Sequence, residues 1–277
     1  MLQDFFTYSF LQYGLLAGLM VGWVAPLIGV FIVVRRLSLI ADALSHITLA
    51  GVAAGLLLGQ LLPALGEISP LYFGLLFAVI GALLIERLRK AYRSYQELAI
   101  PIILSAGIGL AVVLISLAHG FNVDLFALLF GNILAVTEGD LLRIFIISLV
   151  VVIAVWLFYK ELLLLSFDEE GAKLAGVPGG WINLVFSLLV GLVISISMQV
   201  VGILLVSALI TLPVAAAMRI TSSFKQTLFV SILFGEISVI LGMMLSYWFN
   251  LASGGTIVLV AVVILLVLLG RRGFRPI

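Results

Sequence analysis

Three residues that can do chemistry lie within apolar stretches of this chain: Asp42, His46 and Glu236. An ionisable group is costly to keep inside a bilayer, so each is a functional candidate by default. Asp42 and His46 stand four apart, which on a helix leaves them about 40° from one another, with Ser45 on the same side. A carboxylate and an imidazole on one face begin a ligand set for a borderline divalent ion such as zinc. Two ligands do not fill a tetrahedron, but a two-fold dimer would bring two aspartates and two histidines together without any further residue. The same spacing suits an Asp-His hydrogen bond between two buried polar groups, or a proton relay. Glu236, flanked by Gly235 and Ser238 and placed toward the cytoplasmic end of its run, reads as a cavity or gate carboxylate or as a protonated packing residue. His119, beside Gly120, reads as an interfacial histidine.

The elements that must hold these residues follow from composition. The chain has 277 residues, 64% hydrophobic and only 10% charged, with a mean hydropathy of +1.38. Soluble surfaces need about 25% charged residues, so most of this surface faces lipid and a soluble enzyme is excluded. A hydrocarbon core of about 30 Å takes about 20 helical residues per crossing. Apolar runs fall at about 8–34, 39–62, 69–86, 98–118, 141–159, 181–198, 200–218, 226–249 and 254–270. The expectation is an all-α polytopic membrane protein, one transmembrane domain over 1–277, with eight or nine spans. The boundary between the sixth and seventh runs, near Met198 and Gln199, is the least marked. The apolar segment 124–138 is too short to cross and reads as a short outer, re-entrant helix.

Charge placement gives the orientation. If Arg35 and Arg36 are cytoplasmic, alternation puts Arg87, Arg89, Lys90, Arg93, Lys160, Lys173, Arg219, Lys225, Arg271, Arg272 and Arg275 on the same side, leaving only Arg143 of the 14 basic residues outside. The positive-inside rule then places the N-terminus outside and the C-terminus in the cytoplasm. The outer loops carry Asp4, Glu67, Asp124, Glu138 and Asp140, which read either as an acidic mouth that concentrates cations or as scattered, solvated loop ends.

Gly14, Gly18 and Gly22, and again Gly51, Gly55 and Gly59, line single helix faces and predict close helix packing inside one subunit. Pro26 and Pro213 lie inside spans and kink them. The stretch 159–178, YKELLLLSFDEEGAKLAGVP, carries helix signals on the cytoplasmic side: Ser166 or Asp168 as a cap, Glu169 and Glu170 in the first turn, Ala172 within it and Gly176 at its end. Such a helix is a dock for a soluble partner, or an ordinary surface loop. There is no phosphate-binding GxxxxGK[ST] loop, so the chain does not hydrolyse nucleotide itself, and there is no HExxH. With no cysteine and only two histidines, thiolate metal sites and bis-histidine haem are excluded.

The segment RRLSLIADALSHITLAGVAAG (35–55) resembles the signature of the integral-membrane permeases of bacterial ABC importers for zinc and manganese. FNVDLFALLFGNILAVTEGDL (121–141), KELLLLSFDEEGAKLAGV (160–177), VVGILLVSALITLPVAAAMRI (200–220) and ASGGTIVLV (252–260) resemble the same family, in order and over essentially the whole chain. The resemblance implies a homodimeric type II importer permease in the bacterial inner membrane, with cytosolic ABC ATPase subunits below and an extracytoplasmic metal-binding protein above. It implies that Asp42 and His46 contact metal and that the block containing Asp168, Glu169, Glu170, Ala172 and Gly176 is the coupling helix. Ser45 and Glu236 are possible pathway residues. The cargo expected is Zn2+, with Mn2+ second, and no cofactor is permanently bound. Lipid is the remaining partner, and nucleic acid is not expected. The rival reading is a self-contained proton-coupled secondary transporter or channel in which Asp42, His46 and Glu236 relay protons.

Overall fold

The computed structural model describes residues 8–62, 66–92, 94–117, 129–203 and 205–271, and no strand occurs among them. Backbone polar groups in lipid must be satisfied within the chain, which leaves helix as the state for each apolar run. The helices are α1 (Ser9–Val34), α2 (Leu39–Leu61), α3 (Pro70–Ala91), α4 (Ala99–Leu117), α5 (Glu138–Leu157), α6 (Tyr159–Phe167), α7 (Glu169–Leu174), α8 (Gly179–Val201), α9 (Val206–Met218), α10 (Phe224–Phe249) and α11 (Ser253–Arg271). Eight of them, α1 to α5, α8, α10 and α11, are long and apolar enough to cross a membrane. α9 has 13 residues, a length of about 20 Å against a hydrocarbon core of about 30 Å. The fold is thus all-α with eight full-length candidate spans and one short apolar helix.

The break between the sixth and seventh runs lies later than the sequence suggested. α8 continues through Met198 and Gln199 to Val201, and the chain turns at Gly202, whose φ is +87°. A side chain is disfavoured in that left-handed conformation, so glycine ends the helix where hydropathy shows nothing. Of the 124–138 segment, residues 124–128 lie outside the described residues, as do His119, Asp4 and Arg93. The rest carries a 3₁₀ turn, Ile133–Ala135.

The described chain forms two compact units. One comprises residues 1–36, 126–152 and 196–277. Here α1 packs on α9 and α10, and α10 on α11. Contact is close because the facing residues are small: a Cβ on Gly22 would stand 3.0 Å from Val239 Cγ2, and one on Gly235 would run into the Gly22 carbonyl oxygen. Gly14 lies under the Ile133 carbonyl, and the Ile133 N–H donates to Ser253 Oγ at 3.2 Å. The first glycine stripe is therefore packing within the subunit, as expected. Asp140 at the start of α5 accepts hydrogen bonds from Thr137, Arg143 and, at 3.1 Å, Gln199 Nε2.

The second unit comprises residues 37–125 and 153–195. α2 packs on both α3 and α4. Gly51 and Gly55 of α2 accept Phe73 and Phe77, while Gly74 and Gly81 of α3 accept Thr48, Val52, Leu44 and Ile47 in return. Among the described residues Gly59 meets only Gly66. Glycine on both partners lets the two backbones approach where apolar burial alone gives no driving force.

Candidate functional site

α2 carries the candidate pair Asp42 and His46, and its surroundings decide which face is open. From Ile40 to Gly55 every residue is buried except Asp42 and His46, which are partly exposed. Leu44, Gly51 and Gly55 point at α3, about 180° round the helix from the Asp42–His46 face. On a third side α4 closes in: a Cβ at Gly107 would stand 2.9 Å from Ile47 N and 3.1 Å from the His46 carbonyl carbon. The backbone that bears the imidazole is thus held by two helices while the imidazole itself stays accessible. Asp42 is in the first turn of α2, and His46 follows one turn later.

No hydrogen bond or ion pair joins Asp42 to His46 among the described residues, although the carboxylate acts electrostatically on the ring. The pair shares one helix face and, among the described residues, is not consumed by a mutual bond. Ser45, between them, is 2% exposed, and its Oγ has no hydrogen-bond partner. Thr48, one turn on, instead donates to the Leu44 carbonyl at 2.7 Å. Among the described residues no cluster of three or more His, Asp or Glu could hold a metal ion. Within one chain the described residues thus bring only these two candidate donors, Asp42 and His46, to this face.

Glu236 belongs to the other compact unit. It stands at the middle of the 26-residue α10 and not toward its end, because twelve residues of rise carry it about 18 Å into the span. It is half-buried and makes no hydrogen bond or ion pair among the described residues. Gly235 beside it abuts Gly22 and Pro26.

The segment 159–178 is built as its signals indicate, with one choice settled. Asp168, not Ser166, caps α7: its Oδ1 accepts from Gly171 N–H at 2.7 Å, while Ser166 Oγ donates to the Leu162 carbonyl at 2.6 Å. Gly176 adopts φ +79°, its N–H reaching the Lys173 carbonyl and the Val177 N–H reaching Ala172. These two bonds form a Schellman stop, which needs a left-handed residue at that position. Ala172 is fully buried, Glu169 pairs with Lys173 at 3.2 Å, and Leu174 is 91% exposed. The result is a six-residue helix, capped at both ends, that offers an apolar side chain outward.

One ionisable residue escaped the sequence reading. Glu86, in the last turns of α3, is 6% exposed and accepts from Ser187 Oγ of α8 at 3.1 Å and from Arg89 at 3.4 Å. Its place in the basic run ERLRK hides it, since such a run reads as a solvated helix end; the Glu86 and Arg89 spacing of three was the available signal.

Comparison with known proteins agrees with this architecture. The manganese transport system membrane protein MntC of Listeria monocytogenes is 38% identical over 263 residues, covering 95% of this chain and 91% of that one. The manganese import system permease protein ScaB of Streptococcus gordonii is 33% identical over 266 residues, covering 96% and 92%. Among solved structures, PsaBC from Streptococcus pneumoniae in complex with Fab superposes with a TM-score of 0.82 at 34% identity, covering 97% of this chain and 95% of that one. The ABC 3 transport family matches residues 7–271, and with helices, order and sequence in agreement over that length, the chain belongs to the ABC 3 transport family.

Proposed function

We propose that this chain is the permease of an ABC importer for a divalent transition metal, with Mn2+ as the favoured cargo and Zn2+ second. As a member of its family it is a multi-pass membrane transport subunit and not an enzyme, ATP hydrolysis residing in a separate subunit. The observation that carries the metal reading is the Asp42–His46 face: an acid and an imidazole, unbonded to each other among the described residues, as the two partly exposed points in the otherwise buried stretch from Ile40 to Gly55. Sequence reasoning leaned to zinc through a four-ligand set. The relatives' names favour manganese, and a site with few protein donors and room for oxygen ligands suits manganese, which accepts higher coordination than zinc.

In this reading the N-terminus is outside, an extracytoplasmic binding protein delivers the ion, and a second copy of the chain contributes its own Asp42 and His46. α7, capped at both ends and exposing Leu174, receives the ATPase movement and passes it to the spans. The test is uptake of Mn2+ and of Zn2+, each competed by the other, in proteoliposomes holding the chain with its co-purified ATPase. ATP-dependent uptake with Mn2+ preferred supports the proposal. Full uptake by the lone chain driven by a proton gradient would instead establish the secondary-transporter reading.

A further inference from the structure

A groove on the second unit runs along α3 beside Glu86, away from Asp42 and His46 in the sequence of that unit. Ile80, Leu83, Leu84 and Arg87 share one exposed face of α3, spaced as i, i+3, i+4 and i+7. With Lys90 and with Leu184 of α8 they line a cavity of ≈ 470 Å³. The wall is apolar, and the polar groups gather at one end. Glu86 also lines it, but its carboxylate is engaged by Ser187 and Arg89, which offsets its charge. Arg87 and Lys90 make no ion pair among the described residues. Lys90 Nζ reaches across to α8, standing 3.8 Å from where a Cβ on Gly180 would be. Gly180 is in the first turn of α8, where the helix dipole is positive and attracts anions as well.

Two cations with no ion pair among the described residues, beside a positive helix end, cap an apolar slot. The slot has a telling length: Ile80 to Lys90 spans about 15 Å of helix, half of a hydrocarbon core of about 30 Å. A ligand with an anionic head and an apolar tail one leaflet long satisfies both ends at once. We infer that this groove holds one anionic phospholipid, its phosphate against Arg87 and Lys90 and an acyl chain along Ile80, Leu83, Leu84 and Leu184. The inference is independent of which metal is carried.

The experiment uses the assembled transporter in nanodiscs of equal parts phosphatidylglycerol and phosphatidylcholine, with the lipid retained on extraction measured by native mass spectrometry. Phosphatidylglycerol should be enriched over phosphatidylcholine. An Arg87→Ala, Lys90→Ala variant should bind it roughly 25-fold more weakly, about fivefold for each basic residue removed. The charge-conserving Arg87→Lys, Lys90→Arg variant should retain it, as should Lys225→Ala, which removes an exposed cation elsewhere. Excess inorganic phosphate should not displace it, because the acyl chain supplies part of the binding. Undiminished enrichment in the double alanine variant, or displacement by phosphate alone, would overturn the inference. So would copy-to-copy crosslinking through Leu84→Cys in this cysteine-free chain, since a second copy would then cover the groove.

Discussion

Replacing Gly107 by alanine is expected to impair transport more than it impairs folding. The added methyl would stand 2.9 Å from Ile47 N, 3.0 Å from Ile47 Cγ1 and 3.1 Å from the His46 carbonyl carbon, where ordinary contacts need about 3.5–4.0 Å. Two of those neighbours are backbone and cannot swing aside, so α2 and α4 must separate by about 0.5–1 Å at the level of the imidazole. Overpacking of this kind costs about 1–3 kcal/mol, offset in part by about 1 kcal/mol for removing a helical glycine. The net loss of stability is modest. A liganding site tolerates displacement of only about 0.5 Å, so metal uptake should fall roughly tenfold or more. Gly109 on the same helix supplies the control, because among the described residues nothing lies within 4 Å of its Cβ position. Uptake in proteoliposomes and thermal unfolding of the purified complex should then separate the variants: Gly109→Ala normal in both, Gly107→Ala slightly less stable and much slower. Equal uptake by the two would refute the claim that α4 positions His46.

The remaining expectations concern coupling, topology and the missed carboxylate. Asp168→Ala removes the α7 cap, worth about 1 kcal/mol, and should lower stimulated ATPase activity, with Asp168→Asn retaining most of it. Ala172→Pro breaks the helix at its buried residue and should abolish both stimulation and uptake; survival of both would remove α7 from the coupling path. Cysteines placed at Gly66 and Lys173 of this cysteine-free chain should react with a membrane-impermeant maleimide from opposite sides, Gly66 from outside; labelling from one side would reject the span count between them. Glu86→Ala strips Ser187 and Arg89 of their shared acceptor and should cost about 1–3 kcal/mol in thermal stability, whereas an unchanged melting temperature would mean that the bonds contribute nothing net.

The spans were legible because lipid imposes one rule on every apolar run, and α1, α4, α10 and α11 begin and end close to where hydropathy places them. The packing role of Gly14, Gly22, Gly51 and Gly55 was legible for the same reason, since small residues at a spacing of four have few other uses in a span. The end of α8 was not, because Gly202 sits in an apolar stretch and its left-handed backbone leaves no trace in hydropathy. Ser166 and Asp168 were both credible caps; only the competing bond from Ser166 to Leu162 decides between them. Glu86 and the Asp140–Gln199 bond depend on partners 101 and 59 residues away, a distance that local periodicity does not read. Asp42 and His46 stand out in the sequence as ionisable residues in an apolar run, but that they are the partly exposed points in the buried stretch from Ile40 to Gly55 required the positions of α3 and α4.

The central claim is that Asp42 and His46 hold the transported ion as a pair. The direct measurement is ATP-dependent Mn2+ and Zn2+ uptake by a transporter carrying Asp42→Asn together with His46→Gln, reconstituted after its assembly and ATPase activity have been confirmed. Asparagine keeps the size and hydrogen bonding of the side chain without its anion, and glutamine keeps a polar amide without the imidazole nitrogen. A structural polar pair would tolerate this exchange, because both partners remain able to hydrogen-bond. The account predicts an assembled, ATP-hydrolysing complex with no uptake of either ion. Near-normal uptake of either ion by that double variant would contradict it.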